Sequence, residues 1–175
     1  MRQLPLITDN VVDREGKPGF TVRKYTAGES KPYETINGHP TSEFSLLMNM
    51  AVVNTNVELE GVLTATQTDT YYMTLTGLGP SKVFIDGEVI YEQNESSSDP
   101  MGFLLGGVSA PLVEFAMKAG HDYKFLIESS PPIAKEGEDL GILEGRVGVR
   151  LDYMSKKEHD KDLLGEAVTL AKQAD

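Results

Sequence analysis

The sequence predicts an all-β protein, an antiparallel β-sandwich with an amphipathic helix at its C-terminal end. Three observations carry this. Short stretches of period-two alternation recur along most of the 175 residues. Clusters of Gly, Pro, Asn, Asp and Ser separate them, and no helical pattern is interleaved. From Lys157 onward the apolar spacing changes to i, i+4, i+7. The chain therefore divides into an extended lead-in over 1–18, a sandwich over 19–154 and a helix over 155–175.

The lead-in closes on the turn residues Gly16, Pro18 and Gly19, and Phe20, Val22 and Lys24 alternate with Thr21, Arg23 and Tyr25 as a first strand. Residues 27–41, with Gly28, Pro32, Asn37-Gly38 and Pro40, read as a loop. Glu43–Met50 reads either as a short strand or as a helical turn. Leu59, Gly61, Leu63 and Ala65 then alternate with Glu58, Glu60 and Thr64, and Tyr71, Met73, Leu75 and Gly77 alternate with Tyr72, Thr74 and Thr76. Lys82–Ile85 and Glu88–Tyr91 flank Asp86-Gly87, a dipeptide that accepts two positive φ angles and closes a tight hairpin. A Gly/Ser-rich loop follows over 94–110. Val113, Phe115 and Met117 form the next strand, and the turn Ala119–Asp122 leads into Tyr123, Phe125 and Ile127 as a further hairpin. Residues 131–139 are again loop. The last strand places Leu143, Gly145, Val147, Val149, Leu151 and Tyr153 inward and Glu144, Arg146, Arg150 and Asp152 outward. In the helix, Leu163, Ala167, Leu170 and Ala174 form one apolar stripe, and Ser155 or the acidic first turn of Glu158 and Asp160 starts it.

Composition removes several classes of function. A net charge of −11 argues against nucleic acid and anionic membranes as partners, since both require clustered Lys and Arg. The absence of cysteine excludes disulfides and thiolate metal sites, and no apolar run reaches the roughly 18 residues needed to span a bilayer. The first ten residues lack the long apolar segment of a signal peptide, which favours a cytoplasmic setting. His39, His121 and His159 are scattered between a loop, a turn and a helix start, so no metal site and no cofactor are expected.

The run E-G at 60–61, T-x-T-Y at 68–71 and K-V-F-I-D-G at 82–87 resembles the protective-antigen-type (PA-14) domain as it occurs inserted in β-glucosidases of glycoside hydrolase family three. The lead-in from Pro5 and the segment E-A-V-T-L-A-K-Q-A-D at 166–175 are similar to the chain entering the insert and to the first helix of the α/β domain that follows it. The resemblance implies an accessory β-sandwich, flanked in its parent by catalytic and α/β domains, that shapes a pocket for β-linked glucosides or oligosaccharides and limits their length. A lectin-like module and a packing domain are the alternatives. Calcium-dependent lectin-like relatives use two adjacent aspartates, which this sequence lacks. Where the inserts commonly carry Asp-Asn after the hairpin, this chain has Glu92-Gln93.

Candidate chemistry is sparse. Retaining glycosidases need two carboxylates about 5–5.5 Å apart. Glu58 and Glu60 share one strand face, and Glu136, Glu138 and Asp139 cluster in a loop, but both sets read as solvated, so no residue is expected to be catalytic. Asn94-Glu95-Ser96 is a formal glycosylation triplet, read as unused without a secretion signal. The substrate-binding expectation falls on Phe103, Leu104 and Leu105, an apolar triplet in a loop where strand periodicity does not demand one.

Overall fold

The computed structural model describes residues 4–46, 53–94, 111–134, 136–137 and 139–161. Among these residues, eleven strands build two antiparallel sheets: β1 (Val11–Val12), β2 (Phe20–Thr26), β3 (Glu34–His39), β4 (Glu43–Ser45), β5 (Thr55–Thr64), β6 (Asp69–Gly77), β7 (Ser81–Ile85), β8 (Glu88–Gln93), β9 (Val113–Met117), β10 (Asp122–Ser129) and β11 (Gly148–Ser155). The larger sheet runs β3-β2-β5-β10-β7-β8, with β1 pairing β5 beyond the end of β2, and the smaller runs β4-β11-β6-β9. Their inner faces enclose one core. Phe20, Leu59, Leu63, Ile85, Phe125 and Ile127 from the larger sheet meet Met73, Leu75, Met117, Val149 and Leu151 from the smaller, all at most 2% exposed.

Local chemistry accounts for the elements. Leu59, Gly61 and Leu63 alternate inward along β5 as expected. A Cβ on Gly61 would lie 2.7 Å from Val11 and 2.8 Å from the Phe20 ring. The glycine of the E-G pair is thus the gap that lets Phe20 and Val11 close over the centre of the sheet. The β7–β8 turn forms at Asp86 (φ 52°) and Gly87 (φ 84°). Asp86 Oδ1 accepts the Lys124 N–H at 2.9 Å, which ties the hairpin to β10.

Several expectations differ from what forms. Residues 34–39 are not loop but the edge strand β3; an edge strand needs no continuous apolar face, and Asn37-Gly38 makes a bulge (Gly38 φ 73°) rather than a turn. The Ala119–Asp122 turn does not close a hairpin: β9 pairs β6 in one sheet and β10 pairs β5 and β7 in the other. The last strand starts later than its alternation suggests, because Gly141–Leu143 is a 3-10 turn and Gly145 takes φ 70°. Asp152 faces away from the sandwich core as expected but is 3% exposed. Leu6 bridges it, and its carboxylate accepts Arg150 Nε at 2.7 Å and the Thr74 hydroxyl at 3.3 Å.

The lead-in contributes to the sandwich: Ile7 is fully buried and Val11 nearly so. Its backbone is pinned where the chain leaves the domain, since the Tyr153 N–H donates to Pro5 O at 2.8 Å and the Ile7 N–H to Ser42 Oγ at 2.9 Å. Residues 156–161 begin a helix. Ser155 caps it, Oγ accepting the Glu158 N–H at 3.3 Å, and Asp69 accepts the Lys157 N–H at 2.9 Å. The apolar stripe from Leu163 lies outside the described residues.

Strand register sorts the connections into two ends. The connections 27–33, 46–54, 78–80, 94–112 and 130–147 all leave one end, and the three longest, 46–54, 94–112 and 130–147, make it the long-loop end. The connections 13–19, 40–42, 65–68, 86–87 and 118–121, none longer than seven residues, lie at the opposite end, with the incoming segment 4–10 and the outgoing segment 156–161. The long loops and the chain's connections are thus a sandwich length apart.

Candidate functional site

Two places in the fold bear on the expected chemistry. One is the carboxylate pair. Glu58 and Glu60 do sit together on the outer face of the larger sheet, but not as free solvated acids. Arg23, on the neighbouring strand, donates Nε to Glu58 at 3.0 Å and Nη1 to Glu60 at 2.8 Å. Lys124 adds a 3.1 Å ion pair to Glu60, and the Tyr25 hydroxyl donates to Glu58 at 3.0 Å. The side chains of Arg23, Glu58 and Glu60 are only 12, 26 and 13% exposed. Burial opposes the Arg23 charge, yet hydrogen bonds to Glu60 and Glu58 outweigh it and raise the guanidinium pKa. Burial likewise works against the Glu60 charge, and Arg23 and Lys124 overcome it, so its pKa falls below the usual carboxylate value. Across the strand, Glu128 lies directly opposite Glu58 and goes the other way: burial, then repulsion from Glu58, raise it against the attraction of Lys82. A charged row Arg23–Glu58–Glu128–Lys82–Glu92 therefore crosses five strands by register. At its Arg23–Glu58 end, with Glu60, Lys124 and Tyr25, it is a cross-strand ion network whose donors and acceptors pair with one another.

The second place is the root of the 94–112 connection. The expected substrate-binding residues Phe103, Leu104 and Leu105 lie outside the described residues; the strands that launch and receive their loop do not. β8 is the edge of the larger sheet and β9 the edge of the smaller, so the connection bridges the two sheets at the long-loop end. Tyr91, 8% exposed, donates its hydroxyl to Pro111 O at 2.8 Å and so ties the outgoing root to the returning one. Beyond Met73, β9 no longer accompanies β6, and the Gln93 side chain stands in as its partner. The amide oxygen accepts the Gly77 N–H at 3.1 Å, and the amide nitrogen donates to Gly77 O at 2.9 Å and to Gly79 O at 3.4 Å. A primary amide offers the same donor and acceptor as a peptide unit, which is why Gln serves here.

The corner beneath these residues is tightly packed. A Cβ on Gly77 would meet Ser81 Oγ at 2.1 Å, and one on Gly79 would meet the backbone of Ser130 and Pro131 at 2.4 Å. Ser81 is itself fixed between Ser129 Oγ at 2.8 Å and Gly79 O at 3.0 Å. T-G-L-G-P-S at 76–81 carries a readable signal for such a corner. Nothing in the sequence marks Tyr91 or Gln93 as anchors, because both fit ordinary strand alternation.

The remaining candidates stay apart. His39 lies in β3, His121 in the β9–β10 turn and His159 in the first helical turn against Tyr72, ring centroids 5.0 Å apart. No group of acidic or histidine residues fit to hold a metal occurs among the described residues. Glu136 and Asp139 are exposed in the 130–147 connection, with Asp139 accepting the Gly141 N–H at 2.9 Å, and Glu138 lies outside the described residues.

The family model for the PA14 domain matches residues 16–159. The chain belongs to the PA14 domain family. The sequence is 42% identical over 176 residues to Beta-glucosidase B of Emericella nidulans, an alignment that takes in 99% of this chain and 20% of that protein. It is 25% identical to Probable beta-glucosidase I of Aspergillus niger, again over 99% of this chain and 22% of the relative. The chain thus spans about a fifth of the length of the curated relatives it matches. Among solved structures, the fold is similar to that of a β-glucosidase from Kluyveromyces marxianus crystallised with glucose, with a TM-score of 0.68, 16% identity and coverage of 98% of this chain and 21% of that one. In this PA14 domain the K-V-F-I-D-G run is the β7–β8 hairpin, and E-G is the place where Phe20 crosses the sheet.

Proposed function

We propose that this PA14 domain is an accessory part of a β-glucosidase, and that its long-loop end borders the catalytic pocket and limits the length of the β-linked glucosides that fit. The observation that carries this is the separation of the two ends. The chain enters and leaves through adjacent hydrogen-bonded segments, so neighbouring domains attach at that end and the long loops are free to reach elsewhere. The similarity to about a fifth of Beta-glucosidase B supports the parentage. The clamped root of the 94–112 connection supports the role of its loop, because a wall that discriminates by sugar position has to start from a fixed base.

In this reading Phe103, Leu104 and Leu105 form an apolar wall that contacts the second sugar and obstructs a third. The Glu58–Glu60 pair takes no part in cleavage of the glycosidic bond in this reading, since both carboxylates are committed to Arg23 and Lys124. An aromatic face on a sugar ring contributes about 1–2 kcal/mol by analogy with other stacking contacts. Phe103→Ala in the full-length protein is therefore expected to lower kcat/KM for a β-linked disaccharide about ten-fold. Simple aryl glucosides, which reach less far, are expected to change much less. An equal loss on both substrates, or none on either, refutes the assignment.

A further inference from the structure

At the end opposite the long loops, a cavity of about 340 Å³ opens between the incoming segment, the β5–β6 turn and the outgoing segment. It is large enough for a small ligand, since small-molecule pockets start at about 300 Å³. Its walls include Asp9 and Asn10 from the incoming side, Gln67 from the turn, Tyr71 from β6, and Tyr153 and Glu158 from the outgoing side. Tyr71 and Tyr153 stack in parallel, centroids 5.8 Å apart and planes 11° from each other, with Tyr71 nearly buried and Tyr153 partly exposed.

The chemistry of the lining restricts the occupant. No lysine or arginine lines the cavity among the described residues, which disfavours an anion. Threonine hydroxyls from Thr8, Thr64 and Thr66 join the amides and carboxylates around the wall, which disfavours an apolar ligand. Neither the Asp9 nor the Glu158 carboxylate pairs with a basic side chain among the described residues; Asp9 accepts only a 3.4 Å bond from Asn10. What remains is a site with planar acceptors, amide donors and one accessible aromatic ring. Carboxylates and amides receive pairs of adjacent hydroxyls, while an aromatic ring packs against the C–H face of a pyranose.

We propose that this cavity is a second carbohydrate site, for a neutral mono- or disaccharide, with Asp9, Asn10, Gln67 and Glu158 holding hydroxyl groups and Tyr153 backed by Tyr71 as the stacking wall. A sugar seated there touches both the incoming and the outgoing segment and so stiffens the junction through which the domain is attached. The site lies a sandwich length from the loops assigned to pocket shaping, and its failure would leave that assignment standing.

The test is a titration of the 175-residue chain with glucose and with cellobiose, followed by amide chemical shifts. The expected result is saturable shifts at Thr66, Gln67, Tyr153 and Glu158. Gln67→Ala and Glu158→Ala, both at exposed positions that leave the core intact, are expected to weaken binding about ten-fold each. Tyr153→Ala is expected to abolish it, and Tyr153→Phe, which keeps the ring, to retain most of it. Shifts that map elsewhere, no shifts at all, or tighter binding of n-butylammonium than of either sugar each overturn the proposal, the last by making the pocket a cation site.

Discussion

Replacing Arg23 with methionine keeps most of the side-chain volume and removes the one group that joins Glu58 to Glu60. Two charge-assisted hydrogen bonds are lost, at 3.0 and 2.8 Å. Each bond of this kind is worth about 1.5–3 kcal/mol. The loss is partly relieved, because Lys124 still reaches Glu60 at 3.1 Å and Glu58 is 26% exposed to water. The net cost is therefore about 2–3 kcal/mol, below the 3–5 of a wholly buried pair that loses one partner. At roughly 2–4 °C per kcal/mol for a domain of this size, Tm falls by about 4–12 °C. The pH dependence sharpens the test. Glu60 titrates below its ordinary value in the fold, so its contribution is fully present above the unfolded carboxylate pKa and is lost as pH falls through the folded one. Without Arg23 the remaining carboxylates repel, as Glu58 already repels Glu128, whose pKa burial and then that repulsion raise, and acidification relieves them. Urea unfolding of both proteins should give a stability gap that is widest near neutral pH and narrows toward about pH 4. A gap under about 0.5 kcal/mol, the scale of an exposed ion pair, or one constant across that range, refutes the network as described.

Two further variants test the loop root. Gly77→Ala drives a methyl group into Ser81 Oγ, which Ser129 and Gly79 hold in place, and should cost about 1–3 kcal/mol as overpacking, read by urea unfolding. Gln93→Leu leaves the buried Gly77 N–H and carbonyl without the partner that replaces β9, costing about 1–3 kcal/mol, and should accelerate hydrogen exchange at the Gly77 amide selectively.

The sequence makes strands legible where one face is buried and the other wet. β5 and β6 are visible for that reason, and Asp86-Gly87 reveals its turn because left-handed backbone at two successive residues narrows the choice of amino acids. β3 is hidden because an edge strand with a polar sequence and a bulge breaks that alternation. The β9–β10 turn is visible but its consequence is not: a short turn closes a hairpin or crosses between sheets according to which partners the strands find, and those partners are remote in sequence. Asp152 illustrates the same limit. Alternation places it correctly on the outer face, but its burial and its ion pair with Arg150 arise in the tertiary structure, where Leu6 bridges it. At the candidate site, the glycines of 77–79 announce a tight corner, whereas Gln93 becomes an anchor only because β9 ends early beside it.

In the proposed function the loop between β8 and β9 restricts substrate length. The most direct measurement compares the full-length protein with a variant in which residues 95–110 are replaced by a short Gly/Ser linker, across a series of β-linked glucose oligomers. With that role, kcat/KM is expected to fall for the disaccharide, where the wall is lost, and to rise for the trimer and longer oligomers, where the obstruction is lost. An unchanged chain-length profile, with the variant still folded and active on aryl glucosides, would contradict it and leave this PA14 domain with a packing role alone.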